Sequence, residues 1–508
     1  MPLHQPQQPL IINNEELQQG MNNSAPIDMW CPLIKNMYQD RASGAWITRW
    51  PFVRTKFNAP VEYPVTGLTR WKSSFFYTAN GTLYYGDGLS VGAVTGTSPP
   101  VFKSFNNFLF VASGGKLQKV NTSFVIANVA EATCPTTSTV VLVDGVYLWV
   151  TGDTTDPDYV VRSAEQNEEG VWGTIYSSFG YKDGGNFKMT GLTYGPGEYL
   201  IGWKNGEGKK AIGFYDPEDT SFSTDNVPHF FFATDAVAPH THRAAVYSEN
   251  VLWIMDKIAG PMAIVGTDAT EQIVIDKMSL DIGRRILNGW DMDEYGFAVY
   301  YPPDSQIWFF PGPGLSNTIN ILHTRTGAWS QFIPEGDLSF YSAFYYASTG
   351  VLYLGGNDGY IYKYDASGQS AFQDEPGGVA TDISQRIKTK VYDPYPFEEE
   401  KFSPRVIFNC RVLEDGAGTF RIWGDYGSTI DYSEDITLAA TYASLDDWST
   451  YTLDDLSEVG MSSTTLNLSK FEMPRVALND NFQFDIQMTS GAWAFHSIAA
   501  NVRPGRYK

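Results

Sequence analysis

Apolar and polar positions alternate in short bursts through most of this chain. Between residues 60 and 365 the same texture returns: TLYYG (82–86), NFLFVAS (107–113), VYLWVTG (146–152), EYLIGWK (198–204), NVLWIMD (250–256), GFAVYYP (296–302), QIWFFPG (306–312), VLYLGG (351–356) and YIYKYD (360–365). The runs are five to seven residues long and most are bounded by Gly, Asp, Asn or other turn residues, the pattern of strands joined by tight turns. A pattern of period 3.6 is scarce. Its best example is EQIVIDKMSLDIGRRILNGW at 271–290, which predicts a helix interrupted at Gly283.

The runs recur at a loose spacing. Taking Phe108, Tyr147, Tyr199, Leu252, Ala298 and Leu352 as equivalent gives steps of 39, 52, 53, 46 and 54 residues. That suits four-stranded blades with uneven loops and predicts a β-propeller; an array of β-sandwiches has a similar spacing and stays open. The clearest hairpin is ASTGVLYLGGNDGYIYKYD at 347–365, turning at Asn357-Asp358-Gly359. Beyond about 380 the strands lengthen. RVIFNCRVLE (405–414) and TFRIWGD (419–425) flank a turn at 415–418, and Phe482, Phe484 and Ile486 alternate with polar residues as in a half-buried strand. The expected organisation is an N-terminal extension with first strands over 1–59, a β-propeller over 60–380, and a C-terminal β-sandwich-like domain over 381–508. The first 25 residues, rich in Gln, Asn and Pro, read as an extended lead-in.

Several stretches resemble one family. Asn36-Met-Tyr-Gln-Asp40, Ser43-Gly44-Ala45 and Arg49-Trp-Pro-Phe52 stand near the start. NTINILHTRTGAWSQF follows at 317–332, and Arg386-Ile-Lys-Thr-Lys390 opens the last third. In this order they resemble the tail-hub or packaged-DNA stabilisation proteins of short-tailed phages and, more loosely, the tail-nozzle propellers. The Gly of that family's Arg-Pro-Gly-Phe-like element is missing, since Val53 follows Phe52. The resemblance implies a propeller, a sixfold ring below the portal and adaptor, and a wall lining the DNA exit channel.

Composition sharpens the picture. Apolar residues make up 43% of the 508 and aromatics 15%, enough for a large core. The formal net charge is −22, from 57 acidic and 35 basic residues, which disfavours a protein that coats duplex DNA and leaves room for local basic patches. Cys31, Cys134 and Cys410 are too few and too scattered for a disulfide scaffold or a cysteine-rich zinc site. Neither a signal peptide nor an apolar run of membrane-spanning length is read from the sequence, so a soluble chain or a component of a soluble assembly is expected.

The candidate chemistry is sparse. GWKNGEGKK (202–210) has five residues between Gly202 and Gly208 where a phosphate loop has four, and strand-like flanks; it reads as a hairpin. His240 and His242 share one strand face and could begin a metal site, with Asp235 as a partner, but a third ligand is not evident. DMDEYG (291–296) starts like a calcium loop and fails where Pro302 stands in place of the bidentate Glu. No nucleophile elbow occurs. Trp149, Trp203, Trp253, Trp308 and Trp423 lie inside strand runs and read as core. Basic residues gather at Arg49/Arg54/Lys56, Lys209/Lys210, Arg284/Arg285, Arg386/Lys388/Lys390 and Arg503/Arg506/Lys508. Arg386, Lys388 and Lys390 alternate on one strand face and are the expected contact with an acidic neighbour or adjacent subunit.

The expectation is therefore a non-catalytic virion tail protein, with no cofactor and no metal, assembled in the host cytoplasm. It would self-associate as a hexameric ring, contact portal, adaptor and other tail proteins, and let double-stranded DNA pass. The alternative is a propeller that binds or cleaves carbohydrate, which needs aromatics and carboxylates converging on one rim.

Overall fold

The structure is a computed structural model. It describes residues 10–12, 33–40, 44–60, 62–152, 154, 159–176, 189–206, 209–215, 231–256, 260–267, 273–276, 294–365, 372–389, 392, 401–403, 406–424, 429–438, 469–473, 476–478, 482–500 and 503–504. Antiparallel sheets dominate, as the alternation predicts. Four-stranded antiparallel units cover 65–93, 101–128, 140–176, 189–234 and 245–276. A further quartet, 297–332, continues into a larger sheet, and 340–364 is completed by Phe52–Asn58 as its fourth strand.

These seven units are stacked in order. Val65–Trp71 lies against Val101–Phe105, and the contacts pass on through Val140–Asp144, Met189–Tyr194, Ala245–Ser248, Phe297–Tyr301 and Phe340–Tyr346. Phe340–Tyr346 in turn lies against Val65–Trp71. A separate apolar cluster fills the space between each pair of neighbours. Trp71, Phe76, Leu109 and Val111 pack between the first two units, and Val140, Trp149, Met189 and Leu192 between the third and fourth. Val65, Tyr77 and Ile361 pack between the last and the first. Burial of these strand faces, at about 25 cal/mol per Å² of apolar area, is what holds unit to unit. No single sheet closes on itself; the succession runs between sheets.

The N-terminal segment is woven through the rest. Leu33–Lys35 runs parallel to Ala328–Phe332 on one side and antiparallel to Gln385–Lys388 on the other. It thereby joins the 297–332 unit to Phe482–Met488, Gly416–Gly424 and Thr429–Leu438 in one nine-stranded sheet. Met37–Gln39 and Trp46–Thr48 add to a second sheet with Ala492–Ala500, Val406–Glu414 and Ser469–Met473.

Several local expectations need correction. Phe482–Met488 is not half-buried: Gln483 and Asp485 are buried along with Phe482, Phe484 and Ile486, with Asp485 bonded to Arg386 and the Trp423 indole N–H and Gln483 bonded to the Thr389 carbonyl. Val406–Glu414 and Gly416–Gly424 do not pair with each other; the chain switches sheets at Asp415. Ile273–Asp276 is a strand where a helix was expected, and the remainder of 271–290, apart from that strand, lies outside the described residues. The hairpins at 200–215 and 351–364 form as predicted, with Gly359 at φ +85° in the turn of the second.

Candidate functional site

Residues at or next to the first strands of the first, second, sixth and seventh units line one cavity. Tyr63 and Pro64 precede the first unit, Pro99 and Pro100 the second, and Tyr295 the sixth, while Tyr341 opens the seventh. Together with threonines and serines they line a cavity of about 500 Å³ that carries no charged side chain. Tyr295 and Tyr341 meet edge to face with ring centroids 5.2 Å apart.

Arg243 ties the wall of this cavity together. It sits in the short turn His242–Ala244, where the Thr241 hydroxyl accepts from the Ala244 N–H and donates to the Gly296 carbonyl. Its guanidinium donates to the Thr66 carbonyl at 3.3 Å and the Tyr341 carbonyl at 2.6 Å, and lies 4.9 Å from the centre of the Phe297 ring. One side chain from the fifth unit thus binds backbone of the first and seventh and an aromatic face of the sixth. Next to it, His242 stacks on Trp203 at 6.0 Å. The His242 Nδ1 is sealed from solvent and lacks a hydrogen-bond partner, and burial, aided by the charges of Lys103 and Arg243, pushes the imidazole down to about 3. Lys103, midway along Val101–Phe105, reaches solvent, yet the surrounding protein lowers its pKa.

The other junction lies where the N-terminal segment passes between the units and the C-terminal sheets. Arg49 makes a two-pronged ion pair with Asp374, its Nη1 at 2.8 Å from Oδ1 and its Nη2 bonded to Oδ2. The Arg49 Nε donates to Asn36 Oδ1 at 3.0 Å, and its Nη groups reach the Trp50 and Ile333 carbonyls. Asp374 also accepts from the Phe52 and Glu335 N–H groups. Every donor and acceptor named here is used, which is what a buried charge requires.

The expected interface residues divide. Arg386 donates to Asp485 at 2.8 and 2.6 Å, so its acidic partner lies in its own chain, and these bonds raise the guanidinium's pKa. Lys388 lies over the Trp423 ring at 4.5 Å. Lys390 lies outside the described residues, as do Arg284, Arg285, Arg506 and Lys508. Lys210, from the phosphate-loop-like hairpin, holds buried Asp256 at 2.6 Å. Among the described residues no group of three His, Cys, Asp or Glu is placed to hold a metal. His240 donates its N–H to the Met255 carbonyl, and Asp235 is exposed. Cys134 and Cys410 are buried and are not joined in a disulfide, and Cys31 lies outside the described residues. Trp149, Trp203, Trp253 and Trp308 are core, as read. Arg243, Tyr295 and Tyr341 escaped sequence reasoning, because each is one residue of an ordinary strand or turn and only the stacking of units brings them together.

No family model matches the chain, and no curated protein matches it by sequence. Among solved structures, YCF48 bound to D1 peptide is similar over 63% of this chain and 100% of its own, at 10% identity and a TM-score of 0.42. A streptogramin B lyase is similar over 61% and 97%, at 11% identity and a TM-score of 0.43. PorZ, a surface component of the type-IX secretion system of Porphyromonas gingivalis, is similar over 84% and 60%, at 13% identity and a TM-score of 0.44. None of these three is a phage tail protein. What they have in common with this chain is a loose likeness of all-β, multi-sheet folds.

Proposed function

We propose that this chain is a non-catalytic structural subunit: a seven-bladed β-propeller, closed by Phe52–Asn58, fused to a two-sheet C-terminal β-body, and assembled as a ring in a short-tailed phage tail. The observation that carries this reading is the Asn36–Arg49–Asp374 junction. Asn36, Arg49 and Phe52 belong to the stretches that resemble the tail-hub proteins, and all three meet at one buried lock between the units and the C-terminal sheets. A channel wall under internal pressure needs such rigid coupling and few free sheet edges. The succession of inter-unit contacts that returns to its start supports closure.

In the ring, a net charge of −22 gives a neutral to acidic lumen that duplex DNA passes without sticking. The segment Arg386, Lys388 and Lys390 stays the proposed subunit or partner contact through whatever face Arg386–Asp485 leaves open. A mass measurement on the purified full chain tests the assembly. A hexamer of about 340 kDa supports it; a monomer contradicts it. The tyrosine-lined cavity favours the second reading, a carbohydrate-binding propeller, which a monomer whose melting temperature rises with added sugar would establish in its place.

A further inference from the structure

We propose that the cavity lined by the first, second, sixth and seventh units binds a short neutral saccharide, held on the rings of Tyr63, Tyr295 and Tyr341 and by the polar side chains of Asn80, Thr97 and Ser98. The inference deepens the second reading above. It rests on the chain binding carbohydrate, and names the site and the class of sugar whatever the number of subunits.

The lining combines two kinds of surface. Tyr63 is 48% exposed, and Tyr295 and Tyr341, packed edge to face, are each only partly buried. A tyrosine ring offers a flat apolar face that covers the C–H face of a pyranose. Beside the rings stand two hydroxyls and an amide. Among the described residues the Thr97 and Ser98 hydroxyls and the Asn80 amide make no hydrogen bond, so theirs are open to a ligand. A hydroxyl both donates and accepts, and an amide does so through its two end atoms. Sugar hydroxyls have the same double capacity, and such a lining meets both halves of it.

The polar wall is ordered before any ligand arrives. The connection over 94–100 is pinned to its surroundings by backbone bonds. The Val94 N–H donates to the Gly81 carbonyl at 2.9 Å, the Thr95 N–H to Gln118 Oε1 at 2.9 Å, and the Ser98 N–H to the Ser113 carbonyl at 2.9 Å. The Thr95 carbonyl accepts from both the Ser113 hydroxyl and the Gly115 N–H. Thr97 and Ser98 therefore carry unspent hydroxyls on fixed backbone. Arg243 ties two further parts of the lining together, since it donates to the Thr66 and Tyr341 carbonyls. A site already ordered loses less conformational freedom on binding.

Charge and shape select the class. None of the lining side chains is a carboxylate or a cation, so a sialylated, sulfated or phosphorylated ligand meets no counter-charge among them. A volume of about 500 Å³ is in the range of small-molecule sites. The lining is drawn from five separate stretches of chain, 63–66, 78–81, 94–100, Tyr295 and Tyr341, that come together around one space. An extended proline-rich peptide instead lies along an aromatic-lined groove.

The test is an array of neutral, sialylated and sulfated glycans with a proline-rich peptide beside them, probed with the labelled full chain, then titration calorimetry with the neutral saccharide that binds best. Saturable binding of one neutral saccharide per chain is expected. Tyr63→Ala and Thr97→Val, both at exposed positions that carry little of the fold, should each weaken it about fivefold, the loss of one ring contact or one hydrogen bond. Leu315→Ser, exposed and outside the lining, should leave the affinity unchanged. Binding confined to the charged glycans, or neutral-glycan binding that both cavity variants leave intact, overturns this site and class while the carbohydrate reading stands. Binding to the peptide alone, or to nothing on the array, overturns both.

Discussion

Arg49 and Asp374, 325 positions apart, form an ion pair whose two side chains are both fully buried. A guanidinium is the one cation able to bond a carboxylate with two parallel N–H groups while also serving Asn36 and two backbone carbonyls. Arg49→Ala leaves Asp374 as an uncompensated charge in the interior and should cost about 3–5 kcal/mol of unfolding free energy. Arg49→Lys keeps the charge, loses the fork, and should fall between wild type and Ala. Urea unfolding followed by tryptophan fluorescence measures both; a loss of less than about 1 kcal/mol for Arg49→Ala would show that the lock is not structural.

Gly191 marks a close approach. A methyl group there would sit 2.0 Å from the Trp203 indole, which is fully buried. Gly191→Ala should therefore displace Trp203 and lower stability by about 1–3 kcal/mol. Near-ultraviolet circular dichroism reports the displacement directly, and an unchanged aromatic spectrum would contradict the packing described.

His323 sets a pH dependence. It is buried, faces Ser330 through Nε2 at 3.2 Å, and packs edge-on against Trp46. Burial pushes its imidazole down to about 3. In the unfolded chain it titrates near about 6.5, so below that pH the unfolded state takes up a proton that the folded state refuses. Stability from this group is intact above about 6.5 and declines as pH falls towards 3, by up to about 1.4 kcal/mol per pH unit. His242 adds to the slope with the same sign. His323→Gln should flatten the decline between pH 6 and 4 by one proton's worth; identical slopes for wild type and variant would refute the assignment.

The sheet architecture was legible where local pattern and tertiary role agree. Leu352, Leu354 and Ile361 alternate and are buried, and Asn357-Asp358-Gly359 turns between their strands. Phe108, Tyr147, Leu252 and Leu352 fall on second strands of their units, and Tyr199 directly precedes one. Ala298 falls on a first strand instead, because GFAVYYP and QIWFFPG are equally apolar neighbours and spacing cannot choose between them. The unit at 65–93 left no member in the series, since its second strand, Ser74–Ala79, follows its first after a two-residue turn. Polar residues misled where they are buried by other polar residues: Asp485 takes Arg386 and the Trp423 indole N–H, so an alternating strand became a central one. Arg243, Tyr295 and Tyr341 belong to different units, and no local pattern signals what distant strands bring together.

The measurement that bears most directly on the proposed scaffold is a three-dimensional reconstruction of the purified full chain by electron cryomicroscopy. The expected map is a ring of identical subunits, six in number, with seven radial blades in each subunit and Phe52–Asn58 paired to Tyr360–Tyr364 as the closing strand. Isolated subunits without axial symmetry would contradict the ring, and an open gap between the 340–364 and 65–93 units would contradict the closed propeller on which it is built.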